Sequence, residues 1–288
     1  MQILINGTIQ GLLISLLAIG FSIVYNSTGI IYIAQGAIYT LSPFLLFSFI
    51  KVGIGIPIAV FFTFVITIFL SMSFEKINHW PLYKKEASPL IQLISSLGIY
   101  IIIVQIIVLI WGNETKVLRG GVDTTCNFLG VILTKSQIIG GMTGLLFIIL
   151  FLIWLKKSDT GLMLIALSDN PVQLSLLGHD IVKLRLLTFV ISGLFTTTAA
   201  SLTALDVGFD PQGGLNAVLI AIVATIIGGK GSFVGPVMCG VLLGIVRSQV
   251  VWYTSARWED ALTFLFLVLF LFFRPQGILG SKGRIESL

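Results

Sequence analysis

Charge is the scarcest ingredient of this sequence. Only 10% of its 288 residues are Asp, Glu, Lys or Arg, against 56% hydrophobic residues, and its mean hydropathy is +1.06. A soluble domain carries about 25% charge. This chain lacks the polar surface to cover a globule, so its solvent is mostly lipid. Cysteine is nearly absent: Cys126 lies in a polar loop and Cys239 in an apolar run, which supports no disulfide and no CxxC metal or redox spacing. Histidine is equally rare. His79 and His179 fall in separate loops, far apart, with no HExxH and no metal-binding pattern. No GxxxxGK[ST] phosphate loop is present, which excludes ATP hydrolysis by that route. No Ser, His and acid arrangement falls within the apolar runs, which argues against an intramembrane hydrolase. The net charge of +5 is no sign of nucleic-acid binding, because the basic residues cluster between apolar runs, the pattern of charges that set topology. No cofactor is implied.

Long apolar runs are what the chain has instead. They cover 4–25, 30–50, 56–74, 90–111, 138–155, 184–205, 215–228, 234–253 and 261–273. The pattern predicts an all-α polytopic membrane protein, one transmembrane domain over 1–288 with about nine transmembrane helices, some broken by glycine. Several runs fall short of the ~20 residues of a straight span. Eight spans plus a re-entrant second run is the alternative, and it moves the N-terminus inside. The first run has no basic leader and continues for about a membrane thickness, so it reads as a span and not a cleaved signal. Lysine and arginine orient the chain. Lys76, Lys84 and Lys85 mark one inside loop, Lys156, Lys157, Lys183 and Arg185 a second, and Arg274, Lys282 and Arg284 an inside tail. Alternation through the runs then puts 112–137, 207–214 and 254–260 outside. Loop 112–137 is polar and nearly balanced, with Lys116, Arg119 and Lys135 against Glu114 and Asp123.

Ionisable residues inside the runs are functional candidates. Arg247 is the clearest, with Asp206 at the outer end of its run. Arg247 reads first as a snorkel to the headgroups or a pairing with a neighbouring helix, second as a charge near a solute route. No acidic or histidine relay is visible, so proton coupling has no apparent carrier and the energy comes from elsewhere. Uncharged polar groups concentrate in "NSTGIIYIAQGAIYTLSP", where Asn26, Ser27, Thr28, Gln35 and Gly36 interrupt an apolar stretch. Glycine costs about 1 kcal/mol relative to alanine within a helix, and backbone freed in lipid must be satisfied by protein or cavity water. Broken helices of this kind line transport sites; close packing through small residues such as Gly36 and Thr40 is the other reading.

Loop 156–185 is long for a simple turn. In it Asp169 or Asn170 caps a short helix that Pro171 opens and Gly178 stops, 171–177. Leu174, Leu176 and Leu177 need something to press against: either the chain's own helix ends or a cytoplasmic partner.

At this loop the chain resembles the permease subunits of branched-chain amino acid ABC importers, of the LivH type. The resemblance rests on the opening "INGTIQGLLISLLAIGFSIVYNSTGIIYIAQGAIYTLSPFLL", the segment "TGLMLIALSDNPVQLSLLGHDIVKLRLLTFVISG", the glycine seam "IIGGKGSFVGPVMCGVLLG" and the terminal "FRPQGILG", in the family's order over nearly the whole chain. It implies a non-catalytic subunit that moves a small polar solute inward, branched-chain or other amino acids. It also implies a second permease of the LivM type, two ATP-binding subunits and an extracytoplasmic solute-binding protein. The setting it implies is the lipid of a bacterial or archaeal cytoplasmic membrane, with the C-terminus cytoplasmic. By the resemblance, Asn26, Tyr32, Gln35 and Gly36 belong to the solute pathway, and Gly161, Asp169, Pro171, Leu174, Leu177 and Gly178 to the ATPase-coupling segment. Two departures bear on the cargo: Gln35 where histidine is common and Tyr32 where asparagine is common. Others bear on the ATPase partner: Leu174 and Ser175 for small alanines, and no arginine near Gly161. A secondary carrier or channel for a small polar solute such as urea or an amide is the rival function.

The seam holds Gly228, Gly229, Gly231 and Gly235 around Lys230. These glycines let the backbone turn sharply and helices approach closely. The expectation is a cytoplasmic hairpin that acts as gate and hinge in alternating access; a static tight turn is the other reading.

Overall fold

The computed structural model describes residues 1–118, 124–128, 131–274 and 277–279. Arg119, Asp123, Lys282, Arg284 and, in the terminal signature, Pro275, Gln276 and Gly280 lie outside the described residues. Each apolar run is a helix: α1 (Gln2–Thr28), α2 (Gln35–Lys51), α3 (Ile56–Phe74), α5 (Pro89–Trp111), α6 (Lys135–Lys157), α9 (Ile181–Asp206), α10 (Gly213–Gly228), α11 (Gly235–Tyr253) and α12 (Glu259–Phe273). Among the described residues, six helices are long and apolar enough to cross a membrane: α1, α3 with its continuation to Lys84, α5, α6, α9 and α11. Helices α2, α10 and α12 have 17, 16 and 15 residues.

The boundaries follow local chemistry. Ser88 caps α5 ahead of Pro89, and Thr134 with Gln137 forms a reciprocal capping box on α6. Gly29 ends α1 in the left-handed region, φ 72°, its N–H on the Tyr25 carbonyl. A π-helical turn, Glu75–His79, carries α3 into α4 (Trp80–Lys84). Two features were not anticipated. Loop 112–137 contains an antiparallel hairpin of β1 (Thr125–Phe128) and β2 (Val131–Thr134), and the 156–185 loop holds α7 (Asp159–Asp169) before α8 (Pro171–Leu176).

Helix α1 runs through the middle of the bundle, against α6, α9, α10 and α11. Small residues at intervals of four on α1 and α11 let these backbones touch. Cβ atoms built at Gly7 and Gly11 would lie 2.9 Å and 2.7 Å from the Cα atoms of Ile245 and Val241, and one at Gly244 would overlap Gly11. Ser15 and Ser248 hydroxyls donate across the interface to the carbonyls of Val237 (2.9 Å) and Ile3 (3.0 Å).

The two ends of the bundle differ. One carries Lys76, Lys84, Lys156, Lys157 and Lys183 on the segments joining α3 to α5 and α6 to α9, and is called the basic end. At the opposite end Lys116 pairs by backbone with Phe209, Gln2 reaches the Ile132 carbonyl, and Asn216 meets Asp260.

Candidate solute route and coupling surface

A cavity of about 420 Å³ opens at the opposite end between α1, α2, α9 and α10. Its walls are largely apolar, with Leu13, Leu17, Pro43, Ala217 and Ile220, and its rim is polar, with Asp206, Asp210, Asn216, Arg247 and Glu259. Arg247 combines the two readings the sequence allowed. It lines the cavity, yet its guanidinium is fully engaged on the neighbouring helix: Nε to Glu259 at 2.8 Å, Nη1 to the Thr263 hydroxyl at 3.1 Å, and Nη2 beside Asp260 at 3.1 Å. Of the sequence-predicted pathway residues, none lines this cavity.

Gln35 and Gly36 lie just beneath it. Gln35 is fully buried at the start of α2, and its Nε2 donates to the Leu17 carbonyl (3.1 Å) and the Thr196 hydroxyl (2.9 Å), while Oε1 has no partner. Gly20 makes room for it: a Cβ there would stand 3.0 Å from Gln35 Nε2. The Gly36 carbonyl accepts from Thr40, whose side chain lines the cavity. Residues 29–34 between α1 and α2 are irregular, and Ile30, Tyr32 and Ala34 are buried in protein rather than left in lipid. Ser96 on α5 satisfies the Ala34 N–H at 2.8 Å. Tyr32 packs edge-on against Phe189 (4.9 Å between centroids) and His79 (5.5 Å). Asn26 lies elsewhere: its Nδ2 donates to Ser22, and its Oδ1 accepts from the Gly231 N–H at 3.1 Å. The structure thus joins a predicted pathway residue to the predicted hinge.

Helix α9 ties these layers together. Thr203, Thr196, Ser192 and Arg185 fall on one face at helical spacing, with Leu187, Leu194 and Leu205 opposite. Thr203 lines the cavity, Thr196 receives Gln35, Ser192 has an unpartnered hydroxyl, and Arg185 pairs with Glu75 at 2.7 Å.

At the basic end the seam is a tight turn. Gly229 and Gly231 have φ of 98° and 83°, and a Cβ on Gly228 would lie 2.5 Å from the Gly235 carbonyl carbon. The N–H groups of Ile278 and Leu279 donate to the carbonyls of Ile227 (2.8 Å) and Gly228 (3.1 Å), so the tail covers carbonyls that α10 leaves open. Lys230 is exposed.

Beside it lies the 156–185 segment. Asn170, not Asp169, caps α8, accepting from the Gln173 N–H at 3.0 Å; Asp169 closes α7. Pro171 opens α8, and Gly178 leaves it with φ 85°. Leu174 is buried with Leu164 and Leu167, whereas Val172, Leu176 and Leu177 are exposed, the last two at 82% and 75%. Gly161 sits against α6, where a Cβ would lie 2.6 Å from the Leu155 carbonyl. Asp180 caps α9 at the segment's exit; the backbone N–H of Lys183, then the Lys183 ammonium and the N–H of Val182, hold its carboxyl below the usual carboxylate range. Among the described residues no cluster of His, Cys, Asp or Glu suits a metal ion.

Residues 3–271 match the family described as branched-chain amino acid transport system, permease component. This chain belongs to that family. The permease is 29% identical to the high-affinity branched-chain amino acid transport system permease protein BraD of Pseudomonas aeruginosa, over 100% of this chain and 98% of that one. It is 29% identical to LivH of Escherichia coli K12, over 100% of this chain and 97% of LivH. It is 25% identical to a probable LivH of Methanocaldococcus jannaschii, over 98% and 93%. Among solved structures, PsaBC from Streptococcus pneumoniae in complex with Fab shares the fold, with a TM-score of 0.53 and 14% identity over 99% of the permease and 94% of that chain.

The Glu75–Arg185 pair escaped the sequence reading, which took Arg185 for a topology charge. The available signal was an acid just after Phe74, at the end of one long apolar run, and a base just after Leu184, at the start of another.

Proposed function

We propose that this permease is the translocating, non-catalytic membrane subunit of an ATP-driven importer of branched-chain or other amino acids. In this reading it works with a second permease, two ATP-binding subunits and an extracytoplasmic binding protein, in a bacterial or archaeal cytoplasmic membrane. The basic end faces the cytoplasm and the cavity faces outward. The observation that carries the reading is α8: capped, stopped and packed through Leu174, it still presents Val172, Leu176 and Leu177 to the surroundings at the basic end. A short water-side helix with that face bare is matched by a cleft on a partner.

The solute enters the cavity, passes the layer of Gln35 and Gly36, and leaves past Tyr32 along Thr196 and Ser192 of α9. Gln35 has both amide hydrogens engaged and its carbonyl oxygen free, so it offers an acceptor to an ammonium group. The seam of Gly228, Gly229, Gly231 and Gly235, pinned by Asn26, is the hinge on the inner side. Gly161, Asp169 and Pro171 shape the docking segment and Gly178 closes it.

The test is reconstitution in liposomes with the partner subunits. Leucine uptake is expected to require both ATP and binding protein. Gly178→Pro cannot adopt the positive φ of this position and is expected to leave the complex assembled while uptake per ATP falls about tenfold, the size of a coupling free energy. ATP-independent uptake by the permease alone identifies a solitary carrier or channel instead.

A further inference from the structure

Arg185 lies in the second turn of α9, five residues after the Asp180 cap. Its guanidinium is buried beneath aromatic rings, 4.4 Å from the centroid of Tyr83 and 5.6 Å from that of Trp80. Its Nε donates to Glu75 at 2.7 Å, and the two side chains are only 3% and 2% exposed. Yet the pair is incompletely satisfied: Glu75 Oε2 and Arg185 Nη2 have no hydrogen-bond partner.

Such a pair is a poor device for stability. Desolvating two charges offsets their attraction, and apolar residues of similar volume serve as well or better when stability alone matters. What a buried pair does enforce is registry. Neither partner can slide away without leaving a bare charge in a medium of low dielectric. Glu75 opens the π-helical turn that prolongs α3. From the same turn His79 packs on Tyr32 and Phe189, and Tyr32 stands three residues before Gln35. A second tie runs alongside: Ser71 of α3 donates to the Phe189 carbonyl of α9 at 2.7 Å.

We infer that the buried Glu75–Arg185 pair is a transmission joint, which passes movement of the α7–α8 segment to α3 and to the entrance of α2 at Gln35. These are positioning residues; neither touches solute. The inference rests on the proposed function for what drives the movement, but the geometry that transmits it stands in this chain alone.

Two measurements test it. In the reconstituted complex, Glu75→Gln is expected to lower leucine uptake per ATP about tenfold, and the exchanged pair, Glu75→Arg with Arg185→Glu, is expected to restore most of it. The apolar pair, Glu75→Met with Arg185→Met, is expected to assemble but stay uncoupled. Full coupling in the apolar pair, or equal failure of Glu75→Gln and the exchanged pair, overturns the joint. In the purified permease without partners, hydrogen exchange at amides 30–36 is expected to accelerate in Glu75→Gln and return in the exchanged pair, while α1 and α11 stay protected. Unchanged exchange at 30–36 overturns the joint. Absence of ATP-driven leucine uptake in the wild type overturns the proposed function, and the exchange measurement then decides the joint independently.

Discussion

Gln35 concentrates the problem of a polar side chain in this bundle. Its two donated hydrogen bonds reach α1 and α9, so the residue holds three helices in register where α2 begins. Thr196 keeps its own bond to the Ser192 carbonyl when Gln35 is removed. Gln35→Leu is therefore expected to cost only about 1 kcal/mol of stability, because the partners left behind are not stranded. Uptake is expected to fall far more than stability, since the free Oε1 is lost from the route. Thermal midpoint and leucine uptake on one preparation check this: loss of assembled protein in proportion to loss of uptake would make Gln35 a packing residue.

Among elements, the α1–α11 contact is close and unforgiving along its length. Gly244→Ala puts a methyl group into the backbone of Gly11, and neither helix can retreat because Ser15 and Ser248 clasp the contact at both ends. The expected cost is about 1–3 kcal/mol, as for other overpacked sites, read as a lower melting temperature in detergent. Gly98 on α5 provides the contrast. A Cβ there meets nothing within 4 Å, so Gly98→Ala is expected to leave the melting temperature unchanged or slightly higher.

For the whole molecule, the loops sort into two sets by contact. Residues near the N-terminus, the β-hairpin and the segments before α10 and α12 meet at one end; the π-turn, α7, α8, the seam and Ile278 meet at the other. If the basic end is cytoplasmic, the two ends label differently in intact cells. Exposed Cys126 is expected to react with an impermeant thiol reagent and buried Cys239 to remain unreactive. In a background lacking both, Ser175→Cys on exposed α8 is expected to label only after the cells are opened. Labelling of Ser175→Cys in intact cells would invert the orientation.

The sequence by itself determined what depends on neighbours along the chain. Apolar runs gave the helices, because a span in lipid must satisfy its own backbone. The break after Thr28 was legible in Gly29, and α8 in Asn170, Pro171 and Gly178, because caps and stops act within a few residues. The short strands of loop 112–137 were not, since β1 and β2 are only four residues each and their pairing is a contact between segments. The site itself came only from tertiary structure. Gln35 meets Thr196, Asn26 meets Gly231, and Glu75 meets Arg185 across separations of 161, 205 and 110 residues. A helix that is apolar all round gives no sign of which face turns inward. Its rotation is decided by where another helix can come close and where a buried polar group finds its partner, and both are properties of the assembled bundle.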